Sequence, residues 1–177
     1  RLISDISDAS RLDAELARTQ SETINLAELL RNMADAANER ADDEAARVKL
    51  TVADAPGPKP YDVQGHDIRL GQVVSNLLDN ARSFSPSNGV VRVDLSRDSQ
   101  QIKITVDDDG PGIRAENTER IFERFYTDRP DGEGFGNNSG LGLSISRQII
   151  DAHGGSISAT NRIEAGEDGA EGVAGAR

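Results

Sequence analysis

The sequence predicts a two-layer α/β sandwich, with helices laid over one face of a sheet. Three observations carry this. Helix-periodic and strand-periodic segments alternate irregularly along the chain. Two alternating runs, 90–95 and 101–107, sit on either side of a short polar turn, as an antiparallel pair would. Each long helical segment has one apolar stripe and so can cover only one neighbour. A length of 177 residues suits one domain with a substantial core.

Taken in order, residues 1 to about 20 place Leu2, Ile6, Ala9, Leu12 and Leu16 three or four apart, a narrow seam suited to a partner helix. Residues 22–46 read mostly as a second helix, striped by Leu26, Leu29, Leu30, Met33, Ala36 and Ala37. Residues 47–52 alternate as a strand, and "DAPGPKP" (54–60) is a loop. Helix returns from about 66 to 84, until "SPSNG" breaks it. Beyond the strand pair, 128–139 is rich in Gly, Asp and Asn without periodicity, which predicts a mobile loop. A helix from about 140 to 153 follows, then "GGSISAT" as a strand. The last dozen residues are mostly Gly, Ala and Glu and offer little to bury.

Composition removes several function classes. Without cysteine there is neither a disulfide framework nor a thiolate metal site. No apolar run approaches the roughly 20 residues that span a bilayer, and no signal peptide opens the chain. Any membrane anchor of a parent protein would lie elsewhere, and the abrupt helical opening reads as an excised piece. A formal charge of −11, from 31 acidic and 20 basic residues, argues against nucleic acid as a partner.

The first segment that carries chemistry is "VDDDGPGI" (106–113), where a strand runs into three aspartates and a glycine turn. A solvated turn is one reading, since Asp, Gly and Pro all favour turns. A calcium loop is another, but Thr105 stands where its first carboxylate belongs and the preceding segment is strand-like. The third is a nucleotide-base site. A carboxylate at a strand end accepts from an exocyclic amine, and glycines let the base reach the backbone. The second is the segment "QVVSNLLDNARSFS". Leu70, Val73, Val74, Leu77, Leu78 and Ala81 make one apolar face, with Asn76, Asn80 and Ser83 together on its flank beside Arg69. Amide oxygens are hard neutral ligands that suit Mg²⁺ beside a polyphosphate. The third, "GEGFGNNSGLGLSI" (132–145), ends at a helix start, where free amides and the dipole favour phosphate. It lacks the G-K-[ST] of a P-loop, and alone it reads equally as a disordered linker.

Taken in chain order, these segments resemble the ATP-binding domain of sensor histidine kinases. "SNLLDNARSFS" looks like the N box, "DDGPGI" the G1 box, "IFERFY" the F box, "GLGLSI" the G2 box and "DAHGGSI" the usual finish, over about residues 22–160. "ISDISDASRLDAEL" resembles an envelope-sensor branch of those kinases. The resemblance implies the Bergerat fold, with a mixed, mainly antiparallel sheet. It implies residues 1–21 as the end of a dimerisation helix and 22–177 as the catalytic domain, with a lid at about 128–139 and a shortened final strand. ATP and Mg²⁺ are the implied cofactors. The implied partners are a histidine-bearing dimerisation domain and a response-regulator receiver, within a homodimer anchored in the bacterial inner membrane. This domain would lie in the cytoplasm.

Residue by residue, Asp108 matches the aspartate that takes the adenine amine, with Asp107 and Asp109 expected as exposed neighbours. Gly110, Gly112, Ile113, Tyr126, Gly140, Leu141, Gly142 and Leu143 match nucleotide-binding positions. Asn80 matches the Mg²⁺ ligand, and Asn76 a second asparagine near the phosphates. Ser83 and Thr127 stand where many relatives carry Lys and Arg, which turns attention to Arg82, Arg124 and Arg129 as substitutes. His66, although followed by Asp67, opens the N-box helix, and His153 belongs to the "HGG" turn; neither sits in a segment that resembles a phosphoacceptor motif, and both are expected to be structural. Two alternatives stay open: another ATPase of this fold, which would typically lack "FERFY" and the seam helix, and a nucleotide-sensing module without catalysis, which the residues at 83 and 127 allow.

Overall fold

The computed structural model describes residues 21–42, 44–126, 140–165 and 171–177. Their elements run β1 (Glu22–Asn25), α1 (Leu26–Glu39), β2 (Arg47–Val52), β3 (Asp62–Gly65), α2 (Asp67–Phe84), β4 (Val90–Arg97), β5 (Ile102–Asp107), α3 (Gly142–Ala152), β6 (Asn161–Ala165) and β7 (Glu171–Ala176). Two single 3-10 turns, Ala115–Asn117 and Arg120–Phe122, separate β5 from α3.

The central sheet has the order β2-β4-β5. β2 runs parallel to β4, from Arg47 opposite Val90 to Val52 opposite Leu95, and β4 pairs antiparallel with β5. β1–β3 and β6–β7 are antiparallel pairs, so the sheets are mixed and mainly antiparallel among the described residues. Strand alternation chooses the dry face. Val91, Val93 and Leu95 are at most 2% exposed, and the residues between them are only half-buried. Leu30 and Ala34 of α1, Val74, Leu78 and Ala81 of α2 and Ile149 of α3 share one core with them. A fully buried side chain of this kind contributes about 1.5–3 kcal/mol. This is the predicted sandwich.

Three boundaries differ from the expectation. The helix predicted from residue 22 begins at Leu26, because β-branched Thr23 and Ile24 extend opposite Gln64 and Val63. Asn25 then caps the helix, its side chain accepting from the Glu28 N–H at 3.1 Å. The same helix ends at Glu39 rather than 46, where Asn38 turns onto β2. Its amide accepts from the Val48 N–H and donates to the Val48 carbonyl, both at 2.9 Å. The strand predicted at "GGSISAT" begins only at Asn161. Gly154, with φ of +72°, and Gly155 continue the turn that closes α3, and the ladder starts where Thr160 and Arg177 exchange backbone bonds. From the tail expected to offer little to bury, Glu171–Ala176 forms β7, with Gly175 buried against the Asp108 backbone.

Candidate functional site

β5 delivers Asp108 to the mouth of a turn that two neighbouring segments close. Asp108 is 9% exposed, and its Oδ1 accepts from Gly110 N–H at 2.8 Å and Ala176 N–H at 3.1 Å. Its Oδ2 has no partner among the described residues, so one oxygen is fixed and the other is offered. Gly110 admits no side chain, because a Cβ there would lie 2.7 Å from the Phe84 carbonyl oxygen. Gly112 adopts φ of +78°, which suits glycine.

The flanking aspartates are not exposed neighbours. Asp107 is 3% exposed and accepts two bonds from Arg177, at 2.8 and 2.7 Å. Asp109 accepts from Arg92 at 2.7 Å and Arg162 at 2.8 Å, and from Val90 N–H at 3.1 Å. The Arg92 hydrogen bond, ahead of those from Arg162 and Val90, holds the Asp109 carboxyl down at about 2 against the opposing effect of burial. Three adjacent carboxylates coexist because two have guanidinium partners of their own. The middle one is left for something else.

Asn161 is a further residue at this turn that sequence reasoning missed. Its Oδ1 accepts from Ile113 N–H and its Nδ2 donates to the Ile113 carbonyl, both at 2.7 Å. An asparagine just past the predicted strand gives no signal of a contact 48 residues back.

On α2 the flank asparagines behave differently from each other. Asn76 donates to the Gly142 carbonyl at 3.0 Å and to Ser146 Oγ at 3.2 Å, which ties α2 to the start of α3 and leaves its Oδ1 open among the described residues. Asn80, one turn on and half-buried, makes no side-chain hydrogen bond among them. Ser83 is exposed and donates to the Asn80 carbonyl at 2.8 Å. Arg82 donates to the Ala37 carbonyl at 3.1 Å, so it serves the end of α1 and does not replace the charge missing at Ser83.

α3 begins after Leu141 with no side-chain cap, so the first-turn amides of Gly142 and Leu143 have no intrahelical partner. Gly140 adopts φ of +68°, and a Cβ there would lie 2.8 Å from the Phe125 carbonyl carbon and the Tyr126 oxygen. Its carbonyl accepts from Phe125 N–H at 2.9 Å. Phe125 is itself at φ of +63° and 55% exposed. The Arg120 guanidinium lies 5.0 Å from the Tyr126 ring centre. Arg147 of α3 stacks 4.0 Å over Phe122 and bonds Glu119 at 3.1 Å, which pins this turn to α3. Arg124 is half-buried between them in sequence. Thr127 and the predicted lid at 128–139, with Arg129, lie outside the described residues. His66 and His153 meet each other, ring centres 5.3 Å apart, and His153 Nε2 accepts from His66 N–H at 3.2 Å.

With this geometry in hand, likeness to known proteins is specific. The family of histidine kinase-, DNA gyrase B- and HSP90-like ATPases matches residues 65–171. The sensor protein ChvG of Agrobacterium fabrum is 53% identical over 167 residues, which are 93% of this chain and 28% of that protein. ChvG of Rhizobium meliloti is 50% identical over 180 residues, 100% of this chain and 30% of that protein. The chain thus spans less than a third of either relative. Among solved structures, the mycobacterial sensor histidine kinase MprB superposes with a TM-score of 0.70 at 29% identity, over 88% of this chain and 92% of that one. No helix among the described residues is long and apolar enough to cross a membrane. The chain belongs to the histidine kinase-, DNA gyrase B- and HSP90-like ATPase family, as an ATPase domain of the sensor histidine-kinase type.

Proposed function

We propose that this chain is the ATP-binding catalytic domain of a two-component sensor histidine kinase. It moves the γ-phosphoryl of ATP to a histidine on a dimerisation domain, for relay to an aspartate of a response-regulator receiver. The observation that carries the reading is the half-committed carboxylate of Asp108, with Oδ1 bonded to two backbone amides and Oδ2 open. In this reading Oδ2 accepts from the adenine amine, and Gly110, Gly112 and Ile113 let the base lie against the backbone. Tyr126, Leu141 and Leu143 flank the nucleotide, and the amides from Gly140 to Gly142 bind its phosphates.

The donor set fits a hard divalent cation. Asn80 and Asn76 each offer an amide oxygen without a partner among the described residues, and neither adds negative charge beside the phosphates. Asn80 would hold the Mg²⁺, with Asn76 near the phosphates. Bound there, the ion would neutralise phosphate charge and favour in-line transfer. Arg124, and Arg129 from the segment 128–139, supply the positive charge that Ser83 and Thr127 do not. Residues 1–21 are the end of the dimerisation helix in this scheme. The parent is a homodimer anchored in the bacterial inner membrane, with this domain in the cytoplasm.

The test is to mix the chain with a separate histidine-bearing dimerisation domain, Mg²⁺ and γ-labelled ATP. Label that moves to that domain and survives alkali but not acid supports the proposal, and the chain alone should stay unlabelled. Nucleotide binding with no transfer would favour the sensing module instead.

A further inference from the structure

The purine turn is held from outside by the β6–β7 hairpin. Asn161 opens β6 and lays its amide against the peptide groups of Ile113, one bond each way at 2.7 Å. The approach is close enough that a Cβ on Gly112 would lie 2.9 Å from Asn161 Oδ1. The next residue, Arg162, reaches Asp109 at 2.8 Å. Both ends of the turn therefore hang from two successive residues of one strand. Within the turn, Gly110 N–H fixes Asp108 Oδ1, and Ala176 of the partner strand provides the second bond. Where the hairpin holds the turn decides which way the Asp108 carboxylate faces.

We infer that Asn161 is a positioning residue for base selection: it sets the register of the glycine turn, and through it the oxygen that Asp108 presents. This rests on the reading that Asp108 accepts the adenine amine. The same side-chain-to-peptide clamp occurs between Asn38 and Val48, at 2.9 Å in both bonds, where it ties α1 to β2 and touches nothing of the turn. Asn38 is thus an internal control for a role in stability alone.

The experiment is calorimetric binding of ATP and of ITP, whose base carries a carbonyl where adenine has its amine. The wild-type chain should prefer ATP by ~10- to 100-fold, the worth of a charge-assisted hydrogen bond. Asn161→Ala should weaken ATP by about tenfold and ITP by less than about threefold, so that the preference falls by at least about threefold. Asn38→Ala should lower the melting temperature and keep the preference. Equal weakening of both nucleotides by Asn161→Ala, or an unchanged ratio, overturns the positioning role while the Asp108 reading stands. A wild-type chain that does not discriminate at all sinks the Asp108 reading, and this inference with it. Should Asn161→Ala not fold, Asn161→Asp takes its place. It keeps the acceptor for Ile113 N–H and sets a carboxylate oxygen against the Ile113 carbonyl in place of the donor, so its ATP:ITP ratio must fall, and an unchanged ratio is fatal.

Discussion

The two ends of the proposed nucleotide cleft are built on opposite principles. At the base end almost every polar group already has a partner: Asp107 with Arg177, Asp109 with Arg92 and Arg162, Ile113 with Asn161. One oxygen of Asp108 stays open. At the phosphate end the open groups are the rule among the described residues, in Asn80, in Asn76 Oδ1 and in the uncapped start of α3. A saturated frame around one acceptor makes a preorganised reader of a single hydrogen bond. A collection of unpaired donors and acceptors is completed only by a charged ligand and its counter-ion. The base end should therefore govern affinity, and the phosphate end should govern transfer and metal dependence.

The largest expected effect tests the base end. Asp108→Asn should weaken ATP by ~10- to 100-fold, or roughly 1.5–3 kcal/mol. Asp107→Asn should leave ATP affinity nearly unchanged and lower the melting temperature instead, since it breaks a paired group that is 3% exposed. Equal losses of affinity in calorimetry would erase the distinction between the two carboxylates.

Next comes the hinge of the phosphate end. Gly140→Ala meets both a left-handed backbone and a Cβ 2.8 Å from the backbone of Phe125, so thermal or denaturant melts should show a loss of about 2 kcal/mol. A loss below about 0.5 kcal/mol would mean that the start of α3 is not anchored there.

Asn80→Ala should slow transfer to a supplied histidine domain by about tenfold, with ADP affinity hardly altered when Mg²⁺ is absent. If ADP affinity fell equally with and without Mg²⁺, Asn80 would belong to the affinity end of the cleft rather than the transfer end.

The smallest effect is confined to acid. Asp109 is held at about 2 against an ordinary 3.8, so its bonds stabilise the fold fully above the ordinary value. That contribution fades as pH falls through the folded value. Asp109→Asn should be less stable than wild type near neutrality, and the gap should narrow between about pH 4 and about pH 2 in denaturant melts. A gap constant over that window would separate the Asp109 cluster from the stability of the turn.

How much of this was legible follows from sequence distance. The α2 stripe, the β4–β5 pair and the glycines that open α3 depend on neighbours a few residues away, so periodicity and turn chemistry reveal them. The exposure of Asp107 and Asp109 was misjudged because their partners lie 17, 53 and 70 residues off, in Arg92, Arg162 and Arg177. β1 was absorbed into a helix because its pairing with β3 has no local signature: Thr23 and Ile24 are strand formers, but only Gln64 and Val63 make them a strand. The motif resemblance singled out Asp108, Asn76 and Asn80 together, and could not show how differently each is bonded.

The bond from Phe125 N–H to the Gly140 carbonyl has one more consequence. It brings Phe125 and Gly140 to a common point, so the two ends of the chain between them are fixed. For a flexible connection between two fixed points the entropic cost of closure rises only with the logarithm of its length, about 0.6 kcal/mol for each doubling. Length and composition between those ends are therefore free to diverge at little thermodynamic cost, while the glycine that makes the junction is not. Insertions here should be tolerated by the fold far better than one added methyl group at Gly140. The segment can thus evolve almost independently of the domain that carries it.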